Sequence, residues 1–476
     1  MREVIVTDIA RRLDSLGWSR FHTKVALALG ITWALDGLEV TLAGAVAGAL
    51  SAPDGLGLST TEVGASASAY LVGAVLGALL FGWLTDLWGR RRLFFITLGL
   101  YLLATAATAF SQDFWTLALF RFLTGMGIGG EYAAINSAIQ ELVPARYRGR
   151  TDLAINGSYW LGAMLGSAGA SILLNPELFA PDLGWRLAFG IGAILGAVVL
   201  VFRRSLPESP RWLIIRGRVE DAERTLRIIE QQCSAARIEH VAEPWRVHVR
   251  RRAAGLVDLG VSLFKHYPRR SVLGLALMVA QAFCYNAIFF TYTLVLGEFF
   301  AVSPDRAGLY LLPFSVTNFL GPLALGWLFD AWGRRQMITL TYVVSGALLG
   351  VTALLFVGGH LTAMSQTVAF AMVFFFASAA ASSAYLTVSE SFPLEIRALS
   401  IAVFYALGTG IGGVAAPWVF GALIGTGDPE AVAVGYAIGA SLMIAAGTLA
   451  WWLAIPAERR PLEEVATPLS SREESG

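Results

Sequence analysis

Residues 82–91 read Gly82-Trp-Leu-Thr-Asp86-Leu-Trp-Gly89-Arg90-Arg91, and residues 326–335 read Gly326-Trp-Leu-Phe-Asp330-Ala-Trp-Gly333-Arg334-Arg335. The second copy follows the first by 244 positions (82 to 326). Another pair, Glu141-x-x-Pro144-x-x-x-Arg148 and Glu390-x-x-Pro393-x-x-x-Arg397, is displaced by 249 (141 to 390). Two different motifs repeated at nearly one spacing mean that a unit has been duplicated in parallel orientation, a symmetry typical of transporters.

The sequence around the motifs says what that unit is made of. Of 476 residues 56% are hydrophobic and 14% charged, with a mean hydropathy of +0.63, too apolar for a soluble globular chain of this size. Apolar runs long enough to cross a membrane, about 20 residues each, fall at 22–50, 61–84, 93–111, 114–140, 152–174, 185–203, 272–299, 307–329, 336–357, 367–391, 398–424 and 432–455. The expected fold is an all-α membrane protein of twelve transmembrane helices, arranged as two six-helix bundles in a pseudo-twofold parallel repeat. The bundles occupy 22–203 and 272–455. A cytoplasmic linker domain, rich in arginine and glutamate, fills 204–271, and a disordered cytoplasmic tail rich in Pro, Ser and Glu follows from 456 to 476.

Basic residues set the orientation. Arg11, Arg12, Arg20 and Lys24 precede span 1, and Arg90 to Arg92, Arg146 to Arg150, Arg334, Arg335, Arg397, Arg459 and Arg460 fall in alternate loops. The opposite loops hold little beyond Arg186 and Arg306, so both termini are expected in the cytoplasm. Residues 1–21 show no cleavable signal pattern. Ile5, Ile9, Leu13 and Leu16 form a helical stripe that suits a short helix on the inner membrane face, with a frayed tail as the alternative. Short loops and arginine-dominated charge fit a bacterial inner membrane.

The repeated Gly-x-x-x-Asp-x-x-Gly-Arg-Arg loop resembles the signature of the major facilitator superfamily. Pro207-Glu208-Ser209-Pro210-Arg211-Trp212-Leu213, with Glu-x-x-Pro-x-x-x-Arg after spans 4 and 10, is similar to the branch containing sugar porters, organic ion transporters and synaptic vesicle 2-related proteins. Asp36-Gly-x-Glu39 and Arg121 resemble the synaptic vesicle 2-related group, and Gly129-Gly-Glu131-Tyr132 resembles proton-coupled metabolite symporters. The resemblance implies that Gly82, Asp86, Gly89, Arg90, Glu141, Arg148, Glu208, Arg211, Asp330, Arg334, Glu390 and Arg397 form a gate, whose salt bridges close the cytoplasmic side and break when it opens. The residues themselves allow this: glycine permits close helix approach, aspartate suits a helix N-terminus, and arginine can fork a carboxylate. Arginines that only orient the chain are the alternative, but orientation needs no matched Asp, Glu, Gly and Pro.

Ionisable groups inside apolar spans carry the chemistry, since each costs about 2.5–3.5 kcal/mol at mid-membrane on insertion scales. Thr32, Asp36 and Glu39 share one face of span 1. At about 1.5 Å per residue, Arg121 of span 4 matches Glu39 in depth, and Glu131, about 15 Å deeper, matches Asp36. Two tiers are expected: a Glu39–Arg121 ion pair and an Asp36/Glu131 carboxylate pair that takes up a proton. A static polar network between spans 1 and 4 is the alternative. Trp160 and the neutral groups of the second half, Gln281, Tyr285, Asn286 and Tyr385, with Asn318, Ser382 and Tyr405 near them, are substrate-binding candidates along with Asp36. Phe289, Phe290 and Phe374 to Phe376 read as core or lipid-facing.

His22, His240, His248, His266 and His360 are too scattered for a metal site, Cys233 and Cys284 are not partners, and no Gly-Lys-Ser/Thr loop supports ATP-driven pumping. The expectation is a non-enzymatic, cofactor-free secondary active transporter of a small organic solute, acting by alternating access as a proton-coupled symporter. It partners the bilayer and protons, binds no nucleic acid, and is a monomer. Proton-coupled antiport, facilitated diffusion and a non-transporting receptor are the rivals.

Overall fold

In a computed structural model, which describes residues 4–175, 177–204, 206–233, 245–248, 256–289, 291–302, 308–467 and 469, the apolar runs form long helices. They are α1 (Arg20–Ala45), α2 (Thr60–Trp88), α3 (Arg90–Thr108), α4 (Phe114–Leu142), α5 (Arg148–Leu173) and α6 (Pro181–Arg203). The second half repeats them as α7 (Pro268–Phe289), α8 (Leu312–Ala331), α9 (Arg334–Val357), α10 (Ala363–Ser391), α11 (Arg397–Gly408) and α12 (Pro429–Leu453). Helix α7 is followed by Tyr292–Phe300. Helix α11 passes through a π-helical stretch, Thr409–Gly413, into Val414–Ile424. Among the described residues, ten helices are long and apolar enough to cross a membrane by length and composition. The other two, α4 and α5, are diluted by Arg121, Glu131, Glu141, Arg150 and Asp152, most of which are buried inside the bundle.

Packing follows the repeat. Helix α2 packs on α4 as α8 packs on α10, and α3 on α4 as α9 on α10. Small residues let these helices touch backbone to backbone: a Cβ on Gly129 of α4 would lie 1.9 Å from the carbonyl oxygen of Ala74 on α2. The two halves meet mainly where α2 lies on α11 and α5 lies on α8.

Several sequence expectations change in three dimensions. Arg90, Arg148, Arg334 and Arg397 were placed in loops; each instead begins a helix, α3, α5, α9 or α11, and is buried to within 2% of its surface. A cation is disfavoured at a helix N-terminus, and carboxylates around each arginine offset this. Much of the stripe of residues 1–21 is covered by protein. Strand β1 (Val4–Thr7) pairs antiparallel with β2 (Trp245–His248), and the helix Ile9–Ser15 buries Ile9 and Leu13 against linker residues Leu213, Leu226 and Ile229. Arg12 fixes it there through Glu223 (2.8 Å) and Glu230 (2.9 Å). Part of the tail expected to be disordered is ordered too: Leu462–Val465 is a helical turn with Leu462 and Val465 buried, because Glu463 pairs with buried Arg211. His240 and residues 470–476 lie outside the described residues, as does Phe290.

Candidate functional site

One end of the molecule carries all the repeated motifs, and there the halves exchange hydrogen bonds. Asp86, at the end of α2, accepts from the backbone N–H groups of Leu399 (2.9 Å) and Ala398 (3.3 Å) in the first turn of α11. Asp330, at the end of α8, accepts from Gly149 and Arg150 (both 2.9 Å) in the first turn of α5. Each aspartate thereby satisfies orphan helix N–H groups and meets the positive end of the helix dipole. Arg90 holds Asp86 (3.0 Å) and Glu141 (2.7 Å); its counterpart Arg334 holds Asp330 (3.0 Å) and forks both oxygens of Glu390 at 3.0 Å. Arg397 reaches across to Glu141 (3.5 Å), and Arg148 across to Glu390 (3.9 Å). Gly82 lets α2 and α11 approach, since a Cβ there would sit 2.7 Å from that of Ala402.

The turns into α3 and α9 need glycine. Gly89 has φ +97° and Gly333 φ +121°, where side chains are strained. Beyond Gly89, Glu208 accepts from the N–H groups of Arg90 (2.9 Å) and Arg91 (3.2 Å), capping α3. Burial holds its carboxyl above the ordinary glutamate range, opposed by the Ser209 N–H and Arg90. Arg211 joins Asp14 of the N-terminal helix (2.7 Å) to Glu463. Sequence reasoning missed Glu458, which takes the Arg334 N–H at 3.4 Å as Glu208 takes that of Arg90. The signal was there: Glu458 follows Glu208 by 250 positions (208 to 458), close to the spacing of the other motifs. It missed Asp14 as well, which binds Arg148 (3.3 Å), Arg211 and the Ala145 N–H (2.9 Å) but belongs to no repeat.

Within the first bundle, Glu39 and Arg121 form an ion pair at 2.8 Å, with Glu39 1% and Arg121 6% exposed. Thr105 of α3 donates to the other Glu39 oxygen (3.4 Å). The Arg121 guanidinium lies over the rings of Tyr70 (4.5 Å) and Phe189 (5.6 Å), which stabilise a cation away from water. Asp36 is deeper. Its Oδ2 accepts from the Tyr132 hydroxyl, while its Oδ1 is buried with no hydrogen-bond partner among the described residues. Asp36, Thr32 and Glu131 line one small enclosure with Tyr101 and Tyr132. Tyr132 is the residue after Glu131, and Trp33, one helical turn before Asp36, stacks on it at 4.6 Å and 13°; these positions beside Glu131 and Asp36 were the available cue.

Behind Tyr132 and Trp33 opens a cavity of about 210 Å³ between the halves. Of the substrate-binding candidates, Trp160, Gln281, Tyr285 and Tyr385 line it; Ser382 and Tyr405 do so too. Asp36 does not line it and stands one layer back, in the enclosure behind Tyr132. Asn286 is also not among the lining residues: its side-chain amide donates to the Ala282 carbonyl (2.7 Å) and lies against Gly413 of the α11 segment. One residue from Tyr285 on a helix points about 100° away, which is the reason. Asn318 sits just outside, accepting from the Tyr285 hydroxyl. Asn156 and Tyr159 of α5 complete that side. Asn156 in turn donates to the side chain of fully buried Asp152 (2.9 Å), which also accepts from Gln140 (3.2 Å).

The family model described as "Sugar (and other) transporter" matches residues 24–468. The chain is 28% identical over 420 residues to the niacin transporter NiaP of Acinetobacter baylyi, covering 87% of this chain and 89% of that one. It is 26% identical over 429 residues to the 4-hydroxybenzoate transporter PcaK of Pseudomonas aeruginosa, covering 88% and 90%. Among solved structures, the proton:xylose symporter XylE bound to 6-bromo-6-deoxy-D-glucose superposes with a TM-score of 0.75 at 20% identity, over 93% of this chain and 98% of that one.

Proposed function

Because this chain belongs to the sugar (and other) transporter family of the major facilitator superfamily, and so is a multi-pass membrane transporter of small organic solutes and not an enzyme, we propose that it works as a proton-coupled symporter. The solute binds in the cavity between the halves and the proton binds at Asp36. One observation carries the coupling: Asp36 is a buried carboxylate whose partner is a phenol, Tyr132, while the neighbouring arginine is committed to Glu39. A proton is then the charge that neutralises Asp36, and Tyr132 and Trp33 stand between that carboxylate and the solute. Loading the proton changes the hydrogen bond that holds one wall of the cavity. Relatives named for niacin, 4-hydroxybenzoate and xylose, the last a proton symporter, support a small organic cargo.

The end that carries the repeated motifs faces the cytoplasm in this reading, on the strength of its arginines. The Asp86 and Asp330 bonds between halves then close the cytoplasmic side, and alternating access requires breaking them. The test is pH-gradient-driven uptake in proteoliposomes. Asp36→Asn should abolish accumulation against a gradient while leaving solute exchange measurable, because a permanently neutral amide binds solute without cycling a proton. Full concentrative uptake by this variant overturns the assignment.

A further inference from the structure

Asp152 is a buried carboxylate that symport through Asp36 does not use. It lies one turn into α5, just past Gly149 and Arg150, whose N–H groups bind Asp330 of the other half, and none of its surface is exposed. Its side chain accepts from two neutral amides, Asn156 on Oδ1 (2.9 Å) and Gln140 on Oδ2 (3.2 Å). The charged groups that face it are engaged elsewhere. Glu390 of α10 is forked by Arg334 at the start of α9, which also holds Asp330 at the end of α8. Arg148, at the start of Asp152's own helix, reaches Asp14 at 3.3 Å and Glu390 at 3.9 Å. Helix α1, also packed on α5, carries His22 and Lys24 at this end, the first bonded to Ser19 and the second exposed. Among the described residues, then, no cation forms an ion pair with Asp152, whereas Asp86, Glu141, Asp330 and Glu390 are each held by an arginine.

That difference decides what each carboxylate can do. An arginine only donates, so it holds its partner ionised. An amide donates through its NH2 and accepts through its oxygen, so by turning over it serves a carboxylate or a carboxylic acid. The amide oxygens of Asn156 and Gln140 are both buried with no partner among the described residues, free for that exchange. An anion kept from water without a counter-charge is costly, and a proton removes the cost. What keeps water away is the closed end itself: parting Asp330 from Gly149 and Arg150 uncovers the first turns of α5, and in water the ionised form is the stable one. The site is also linked to Asp36 and to the cavity. Tyr132, Asn136 and Gln140 follow one another at one-turn steps along α4; Asn136 donates to the Tyr132 carbonyl (2.9 Å) and accepts from Asn156 (3.4 Å). Tyr132 is the phenol on Asp36, and Asn156 lines the cavity. Gln140 lies about 12 Å from Tyr132 along α4, toward the end that carries the repeated motifs.

We propose that Asp152 is a second proton-binding site, between the cavity and the gate, which holds a proton while the motif-bearing end is closed and gives it up to water when that end opens. Release into the cytoplasm rests on the symport reading and on that end facing the cytoplasm. The proton leaves the Asp152 carboxyl for water, and the carboxylate that remains keeps the NH2 groups of Asn156 and Gln140.

The experiment uses the full-length protein in detergent, spin-labelled at Arg92→Cys and Trp332→Cys, exposed positions on opposite halves, with Cys233→Ser and Cys284→Ser. Distance distributions are recorded from about pH 5 to pH 9, the range in which buried carboxylates titrate, with no solute present. If opening releases one proton, the open-to-closed ratio rises with pH by up to about tenfold per unit. Asp152→Asn, permanently neutral, should remove that rise, and Asp152→Glu, which keeps a titratable group, should restore it. A residue that only braces the helices would change the ratio by one factor at every pH, so a profile for Asp152→Asn parallel to that of the unaltered protein overturns the proposal. Asp36→Asn gives the answer if Asp152→Asn does not fold: the rise should persist without the Asp36 carboxylate, and a flat profile overturns the proposal. Because the assay holds neither solute nor gradient, either failure leaves proton coupling at Asp36 standing. Full concentrative uptake by Asp36→Asn does the reverse, removing Asp36 as the coupling residue without touching the pH profile of Asp152→Asn.

Discussion

Replacing Asp86 by asparagine tests whether the repeated motif sets the conformational equilibrium. Two sets of contacts must be kept apart. The Asp86–Arg90 pair at 3.0 Å is local, four residues apart at the α2–α3 turn, and persists whichever way the halves tilt, so it cancels between states. The bonds from Leu399 and Ala398 at 2.9 and 3.3 Å come from the other half and exist only while this end is closed. Asparagine keeps one acceptor but turns an NH2 group toward either Arg90 or α11, all of them donors. Losing one charge-assisted hydrogen bond costs about 1.5–3 kcal/mol, so the ratio of open to closed forms should rise roughly tenfold to a hundredfold. Spin labels on Arg92→Cys and Trp332→Cys, both exposed and on opposite halves, report the opening once Cys233 and Cys284 are replaced by serine. The long-distance population should grow in Asp86→Asn and equally in Asp330→Asn, whose partners mirror those of Asp86. In the double variant the two factors should multiply, since both act on one equilibrium. An unchanged distance distribution in a folded Asp86→Asn protein refutes the reasoning and leaves the motif a role in folding or topology.

Other consequences follow from the same contacts. Glu39→Gln and Arg121→Gln should each impair transport and stability severely, because removing one member of a buried pair strands the other at about 3–5 kcal/mol, while the double variant should be milder than the sum; additive losses in the cycle would show that the 2.8 Å contact carries no coupling. Gly89→Ala should cost about 1–3 kcal/mol and loosen the α3 cap, since at φ +97° its Cβ would lie 2.3 Å from Glu208 Oε2; an unchanged melting temperature contradicts this. Burial raises the affinity of Glu208 for a proton above that of the unfolded chain, so the native state holds the proton longer and stability contributed by this group falls as pH rises through and above the ordinary glutamate range. Glu208→Gln should flatten that part of a stability-versus-pH curve, and a parallel curve would exclude Glu208 as its source.

The sequence by itself determined the class of fold and singled out the repeated motifs whose residues bond the two halves together. Apolar runs of membrane length and a motif repeated at one spacing leave few arrangements, because lipid tolerates no unsatisfied backbone and a duplicated unit dictates a symmetric mate. The pairing of Glu39 with Arg121 was legible for a related reason: two charges in hydrocarbon at one depth have little else to meet. What a residue one position along a helix faces was not legible. Gln281 and Tyr285 point into the cavity and Asn286 out of it, a choice made by how α7 is rotated against α11 and α12, which no local pattern records. The fate of the N-terminal stripe and of Leu462–Val465 was hidden likewise, since an apolar face reads the same whether lipid or protein covers it. Only the tertiary structure brought Asp14 and Glu463 to Arg211, Glu458 to the start of α9, and the rings of both halves into one chamber, because each of these contacts joins segments distant in the chain.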